Sequence, residues 1–167
     1  MNIGKRVRLN RIFSHPSGRL CSVAIDHFIG YGKLTPGGGL SNLPDALKKV
    51  VAGLPGAVTM SKGTAMNCWE PYAGQVPLIL QAGCFTPDDR VIETMTDPEE
   101  CVRLGADAIA IAIGIFGPNE GKFLRFFADY AAKKWPLSGQ QKLGVEDARR
   151  ICSCSKACVS WETCPTR

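Results

Sequence analysis

The sequence predicts an α/β fold in which helices cover a parallel sheet. Short apolar runs alternate with amphipathic segments over residues 20–134, as in successive β-α-β units. In residues 108–113, isoleucine at every second position alternates with alanine, a composition that suits a strand buried on both faces. With 167 residues, 45% of them apolar, the chain is long enough for one domain with a substantial core.

The first part of this pattern contains two predicted strands joined by a helix. Residues 20–25 form a short apolar run that predicts the first strand. Either Ser41 or Asn42 can cap the helix that follows, and Gly53 ends it. Residues 57–60 predict the second strand.

The later part adds two strands and two helices. Residues 76–80 predict the third strand, in which a proline fits only near the start. A short helix follows, with Asp97 at its cap, Pro98 at its first position and Gly105 at its end. After the strand at 108–113, residues 121–134 predict a helix whose apolar face consists of Phe123, Phe126, Phe127 and Tyr130. The order fits half of a barrel or a small open sheet.

Chemically useful residues follow each predicted strand. Asp26 and His27 end the first strand, Lys62 ends the second, Gln81 the third, and residues 114–117 follow the fourth. Ligands of parallel α/β folds bind at the carboxyl ends of the strands, where a lysine can form an imine and a carboxylate or imidazole can move protons. Two structural alternatives stay open. Asp26 and His27 can cap backbone amides, and a lysine before a glycine is common in a solvated loop.

Charge and hydropathy argue against nucleic-acid and membrane partners. The net charge is +5, but the early basic residues lack interleaved aromatic residues, so we interpret them as a solvated basic face. The first residues lack the apolar segment of a secretory signal. The longest apolar run, residues 108–116, is far shorter than the roughly 20 residues of a membrane helix. We expect a soluble, cytoplasmic protein.

The cysteines are concentrated near the end of the chain. Of eight cysteines, four lie in the final segment, namely Cys152, Cys154, Cys158 and Cys164. Thiolates can bind zinc or an iron–sulfur cluster, but the spacing is not that of paired CxxC motifs and no histidine lies nearby. We therefore expect no metal or cofactor, and a tail over residues 136–167 that is a loop, a helix or disordered. A thiol or metal protein is the weaker alternative.

Several blocks together resemble a known family. They are residues 4–13, residues 17–19, Asp26-His27, Lys62-Gly63 and residues 101–109. In this order they resemble the archaeal-type class I fructose-bisphosphate aldolases, which belong to the deoxyribose-phosphate and tagatose-bisphosphate aldolase superfamily. The resemblance covers about residues 3–135.

The resemblance implies an incomplete TIM (β/α)8 barrel, because a complete one has roughly 250 residues. Residues 1–135 would form its N-terminal half, the first four β/α units, and residues 136–167 a divergent tail. It further implies a cytoplasmic homo-oligomer that acts on a phosphorylated ketose by metal-independent aldol cleavage or condensation.

The resemblance also implies roles for individual residues. Asp26 would help proton transfer in the active site, with His27 beside it, and Lys62 is the third candidate catalytic residue. The family often has His-Lys-Gly where this chain has Ser61-Lys62-Gly63. No residue matches the family's imine-forming lysine on strand six, so we expect a truncated barrel. The alternative is a catalytically silent half-barrel that acts as a self-associating binding or assembly module.

Overall fold

A parallel sheet forms the centre of the computed structural model, which describes residues 3–27, 39–85, 92–111 and 117–132. Four strands pair side by side in the order β1 (Ser22–Ala24), β2 (Ala57–Ser61), β3 (Leu78–Gln81) and β6 (Ala108–Ala110). All three pairings are parallel. The predicted α/β fold with its parallel strands is therefore confirmed.

A second, antiparallel pair of strands was not predicted. It consists of β4 (Gly83–Phe85) and β5 (Ile92–Thr94), which follow directly after β3. Each strand has only three residues, too few for a hydrophobic alternation to be visible in the sequence.

Five helices accompany the strands in the described part of the chain. They are α1 (Ile3–Ile12), α2 (Leu43–Ala52), α3 (Lys62–Cys68), α4 (Pro98–Arg103) and α5 (Glu120–Ala132). Short 3-10 turns cover Gly39–Ser41 and Glu70–Tyr72. Of the two caps considered for α2, Asn42 is the one used, since its side chain accepts a hydrogen bond from Asp45 N at 3.3 Å. Helix α1 was not predicted.

The start of α4 has the predicted cap and one feature that was missed. The Asp97 carboxylate accepts hydrogen bonds from the backbone N–H groups of Glu99 and Glu100 at 2.9 and 3.0 Å. Glu100 Oε2 in turn accepts from Asp97 N at 3.2 Å, which completes a capping box. Pro98 lies at the first helical position, and Gly105 after the helix adopts a φ of +74°, which favours glycine.

The helices cover one face of the sheet. Val58 and Met60 of β2 and Leu78 and Leu80 of β3 are almost fully buried. They belong to one cluster with residues of α2, α3 and α4 that includes Leu47, Val51, Ala65 and Cys101. Because side chains alternate along a strand, the residues between them lie on the opposite face, here called the inner face. Its described members are Ser22, Ala24, Ala57, Thr59, Ser61, Ile79, Gln81, Ala108 and Ala110.

The sheet is open in the part of the chain that the structure describes. Strand β1 pairs only with β2, and β6 pairs only with β3, so these strands form the two edges. The four strands thus form an arc of parallel strands, as expected for an incomplete barrel. Residues 133–167 lie outside the described residues, so the Cys-rich tail and its boundary stay predictions.

A buried carboxylate joins α1 to the amino end of the sheet. The Asp107 side chain is 1% exposed, and its Oδ2 accepts a hydrogen bond from Leu78 N at 3.1 Å. Arg11 Nη1 lies 3.0 Å from Oδ1, close enough for an ion pair but outside hydrogen-bond geometry. Burial raises the pKa of Asp107, and the contacts with Leu78 N–H and Arg11 oppose this rise. The family-like segment around residue 107 thus has a structural role.

None of the described helices is both long and apolar enough to cross a membrane. The cytoplasmic location expected from the sequence stays a prediction.

We expect Asp107→Ala to lower the free energy of unfolding by about 1–3 kcal/mol, because the buried Leu78 N–H loses its acceptor. Urea unfolding followed by circular dichroism measures this loss. Asp129 is exposed on α5, and Asp129→Ala serves as the matched control, with an expected change within about 0.5 kcal/mol. Equal stability of the two variants would contradict a role for Asp107 in joining these elements.

Candidate active site

Three polar residues lie at the same level where the parallel strands end. Ser61 pairs with Gln81, and Gln81 pairs with Ala110. On the other side, Ala24 pairs with Thr59, and Ile25 N continues this pairing by donating to Thr59 O at 2.8 Å. Extension of the same register by one residue places Asp26 level with Ser61. We call this set, Asp26, Ser61, Gln81 and Ala110, the carboxyl-edge row.

Alternation along β1 places Asp26 on the inner face. Ser22 Oγ lies 3.0 Å from Thr59 Oγ1 in a hydrogen bond, so both side chains are on the same face of their strands. Asp26 is four residues after Ser22 and therefore shares its face. The Asp26 side chain is 20% exposed. Asp26 thus lies where ligands of parallel α/β folds bind.

The surroundings of Asp26 suit proton transfer. Burial raises the pKa of Asp26, while its own backbone N–H and the neighbouring His27 act in the opposite direction. His27 Nδ1 lies 3.6 Å from Asp26 Oδ1, too far for a hydrogen bond but near enough for electrostatic attraction. The predicted Asp26–His27 pair is therefore together at the strand end. Its catalytic role stays a prediction.

Lys62 pairs with a carboxylate of α4 instead of a member of the carboxyl-edge row. It is the first residue of α3, and its Nζ donates to both Glu100 oxygens, at 2.9 Å to Oε1 and 3.1 Å to Oε2. Glu100 belongs to α4, a helix that packs on the opposite face of the sheet. The hydrogen bond from Lys62 lowers the pKa of the Glu100 carboxyl. Lys62 therefore contacts Glu100, not Asp26. It is also not the unpaired, solvated lysine of the alternative interpretation.

Sequence reasoning gave little weight to the other members of the row. Ser61 is 3% exposed and caps α3, since its Oγ accepts from Thr64 N at 3.4 Å and lies 3.0 Å from Thr64 Oγ1. Gln81 is 9% exposed, and its backbone oxygen accepts from Thr96 Oγ1 at 3.5 Å. The alternation of Thr59 with Ser61 was the signal that could have found this row. The i, i+3 spacing of Asp97 and Glu100 was the signal for Glu100.

Among the described residues, His15 is the remaining candidate, and it lies in a local turn. His15 Nδ1 bonds Ser17 Oγ at 2.7 Å within a turn, as its sequence context predicts. Residues 114–116 and most of the glycine-rich loop before α2 lie outside the described residues. In the described ranges, no group of histidine, cysteine, aspartate and glutamate side chains could hold a metal ion.

Known proteins are similar to this chain in sequence and fold over part of their length. No protein-family profile matches the chain. The 2-amino-3,7-dideoxy-D-threo-hept-6-ulosonate synthase of Halobacterium salinarum is 30% identical over 132 residues, which are 77% of this chain and 48% of that enzyme. A Schiff-base-forming fructose-1,6-bisphosphate aldolase superposes with a TM-score of 0.62 and 25% identity, over 76% of this chain and 51% of its own. An archaeal fructose 1,6-bisphosphate aldolase superposes over the same shares, with a TM-score of 0.57 and 26% identity.

The chain is a partial homologue of these proteins. The family resemblance predicted from the sequence is confirmed, and the fold matches these barrels. The chain spans about half the length of the relatives it matches.

We expect Asp26→Asn to become more stable relative to the wild type as the pH rises. The folded-state pKa of Asp26 is raised above its ordinary value of 3.8, so folding favours the protonated carboxyl. The wild type therefore loses stability as the pH rises through the folded-state pKa, and an uncharged side chain avoids this loss.

Urea unfolding at about pH 4 and about pH 7 tests this dependence. Asp129→Asn, at an exposed position, is the control and should track the wild type at both values. A difference between Asp26→Asn and the wild type that does not change with pH would contradict the raised pKa.

Proposed function

We propose that the chain provides the Asp26 side of a class I, Schiff-base aldolase site. The reaction is the cleavage or condensation of a phosphorylated ketose such as fructose 1,6-bisphosphate, so the activity is that of an aldehyde-lyase. The observation that carries the proposal is the position of Asp26 at the carboxyl edge of a parallel sheet homologous to Schiff-base-forming aldolases. The proposed partners are this sugar phosphate and further copies of the chain.

Asp26 is suited to the proton transfer of such a reaction. In aldol cleavage, the carbon–carbon bond breaks as a hydroxyl on the adjacent carbon loses its proton, and the electrons move toward the protonated imine. A carboxylate beside that hydroxyl accepts the proton and returns it in condensation. Partial burial, which raises the pKa of Asp26, strengthens it as a base when it is ionised. His27, next to Asp26, would favour the ionised form when it is protonated.

Lys62 is a poor candidate for the imine-forming amine. An ammonium group that donates to both oxygens of a carboxylate is protonated and has no free electron pair for attack on a carbonyl. We therefore propose that the imine forms on an amine outside the carboxyl-edge row, and that Lys62 fixes the start of α3 against α4.

We expect fructose 1,6-bisphosphate to bind the chain without forming an imine at Lys62. Binding should shift the backbone NMR signals of the carboxyl-edge row, and Asp26→Asn should reduce the shifts. Borohydride reduction in the presence of the sugar phosphate, followed by peptide mass spectrometry, should leave Lys62 unmodified. Lys122, exposed on α5, provides the internal control for nonspecific reaction.

Either of two results would change this account. A reduced adduct at Lys62 but not at Lys122 would show that the Lys62–Glu100 pair opens for chemistry. An absence of any sugar-phosphate binding would remove the aldolase-type function and leave the structural alternative.

A self-associating, catalytically silent half-barrel is the second candidate function. It is favoured by the two sheet edges, β1 and β6, each of which presents backbone groups without a strand partner among the described residues. The inner-face residues of β6, Ala108 and Ala110, are only partly buried. A second copy can cover this face and pair with both edges.

We expect the chain to sediment as a dimer or larger species rather than as an 18.0 kDa monomer. Ala110→Glu should shift the distribution toward monomer, because it places a charge on the inner face near the β6 edge. Ala128→Glu, on the exposed side of α5, is the matched control and should leave the distribution unchanged. A wild-type monomer over the whole concentration range in analytical ultracentrifugation would refute the self-association.

A further inference from the structure

In the carboxyl-edge row, no contact with another described residue accounts for the presence of the polar Gln81 side chain. It is 9% exposed, and its strand neighbours at the same level are Ser61 and Ala110. Among the described residues, none forms a hydrogen bond with its carboxamide, whereas its backbone oxygen is bonded to Thr96. Among the described residues, the fully buried side-chain atom without a hydrogen bond is Asp107 Oδ1, so the Gln81 carboxamide retains access to solvent, and a ligand or water at this edge can bind it.

We infer that Gln81 is the residue that binds the sugar hydroxyls beside Asp26, and that it selects hydroxylated substrates over deoxygenated ones of equal length and charge. This inference rests on the proposed function, because it assigns a binding role within the same site. It concerns the carbon chain of the substrate, not its phosphate groups.

The position of Gln81 fits an extended ligand. Adjacent strands are about 4.8 Å apart, so Asp26 and Gln81, two strands apart, are separated by roughly 10 Å along the row. Between them, the Ser61 hydroxyl is already engaged with Thr64. Beyond Gln81, the row continues with Ala110, whose side chain is small and only partly buried. An open-chain sugar phosphate that lies along the row can contact Asp26 at one position and Gln81 at another.

The chemistry of the carboxamide favours hydroxyls over phosphate. An amide side chain offers two N–H donors and an acceptor oxygen, and a hydroxyl group both donates and accepts. A phosphate group accepts hydrogen bonds and is preferred by cationic donors, whereas Lys62, the residue after Ser61, pairs with Glu100. A neutral amide also leaves the protonation of Asp26 undisturbed.

The test compares two ligands and two variants. Fructose 1,6-bisphosphate carries hydroxyls along its chain, and hexane-1,6-diol bisphosphate has the same length and phosphates without them. Gln81→Met keeps the side-chain size but removes the amide. Gln75→Met is the matched control, because Gln75 is exposed and its amide bonds only to Pro71 O at 2.9 Å in the same turn.

We expect Gln81→Met to weaken the binding of fructose 1,6-bisphosphate about five- to tenfold, the effect of one or two neutral hydrogen bonds, and to leave the hexanediol bisphosphate unaffected. Gln75→Met should change neither. Titrations followed by NMR measure both affinities, and thermal unfolding checks that the variants are folded.

A second measurement uses only the wild type. The side-chain amide signals of Gln81, assigned by their loss in Gln81→Met or by selective labelling, should shift with fructose 1,6-bisphosphate but not with hexanediol bisphosphate. Equal weakening of both ligands, or an amide signal that the sugar does not move, would overturn the inference and leave the proposed function standing. If the wild type binds neither ligand, the proposed function and the inference both fail.

Discussion

Backbone hydrogen bonds between parallel strands determine which side chains of this protein can meet. The pairing of β1 with β2 places Asp26 level with Ser61, and the pairing of β2 with β3 places Ser61 level with Gln81. A slip of one residue in β1 would move Asp26 to the face covered by helices, where a charged group is unfavourable. The hydrogen bond between Ser22 and Thr59 joins β1 to β2 on the inner face and so supports the register that the site needs.

Each end of the sheet has a partly or fully buried aspartate, but the surroundings of the two carboxylates differ. At the amino end, Asp107 is buried with a backbone donor and Arg11 beside it, so its charge serves to hold α1 against the strands. At the carboxyl edge, burial raises the pKa of Asp26, although its own backbone N–H and His27, at 3.6 Å, oppose this rise; the raised pKa reduces stability near neutral pH. A carboxylate kept in an unfavourable position at a strand end is typical of a group retained for chemistry rather than for folding.

The sequence was sufficient to predict a helix or strand where its local pattern agrees with the contacts that the element makes in the fold. The alternating alanine and isoleucine of β6, and the cap, proline and glycine around α4, predicted both elements, but β6 is only partly buried and not buried on both faces as expected. It was insufficient for α1, whose polar composition gives no apolar face, and for the three-residue strands β4 and β5. Asp26 was predicted as a site residue because it follows an apolar run. It lies two residues after the end of β1, and its catalytic role stays a prediction. Lys62 was predicted as a site residue because it follows β2. It is the first residue of α3, its Nζ donates to Glu100, and its catalytic role stays a prediction.

The orientation of Lys62 also limits what these four strands can do chemically. Imine formation needs an unprotonated amine that faces the substrate carbonyl, with the proton-transferring group on the other side of the reacting bond. The four described strands place the Asp26 carboxylate and the Gln81 amide on the inner face, whereas Lys62 Nζ pairs with Glu100 of α4. A barrel closes by bringing further strands across from this arc, and an amine on such a strand would meet the substrate from the side that Asp26 leaves open. In the proposed function, the inner face that binds the sugar is also the face that a closed barrel covers, so substrate binding and barrel closure would depend on the same residues.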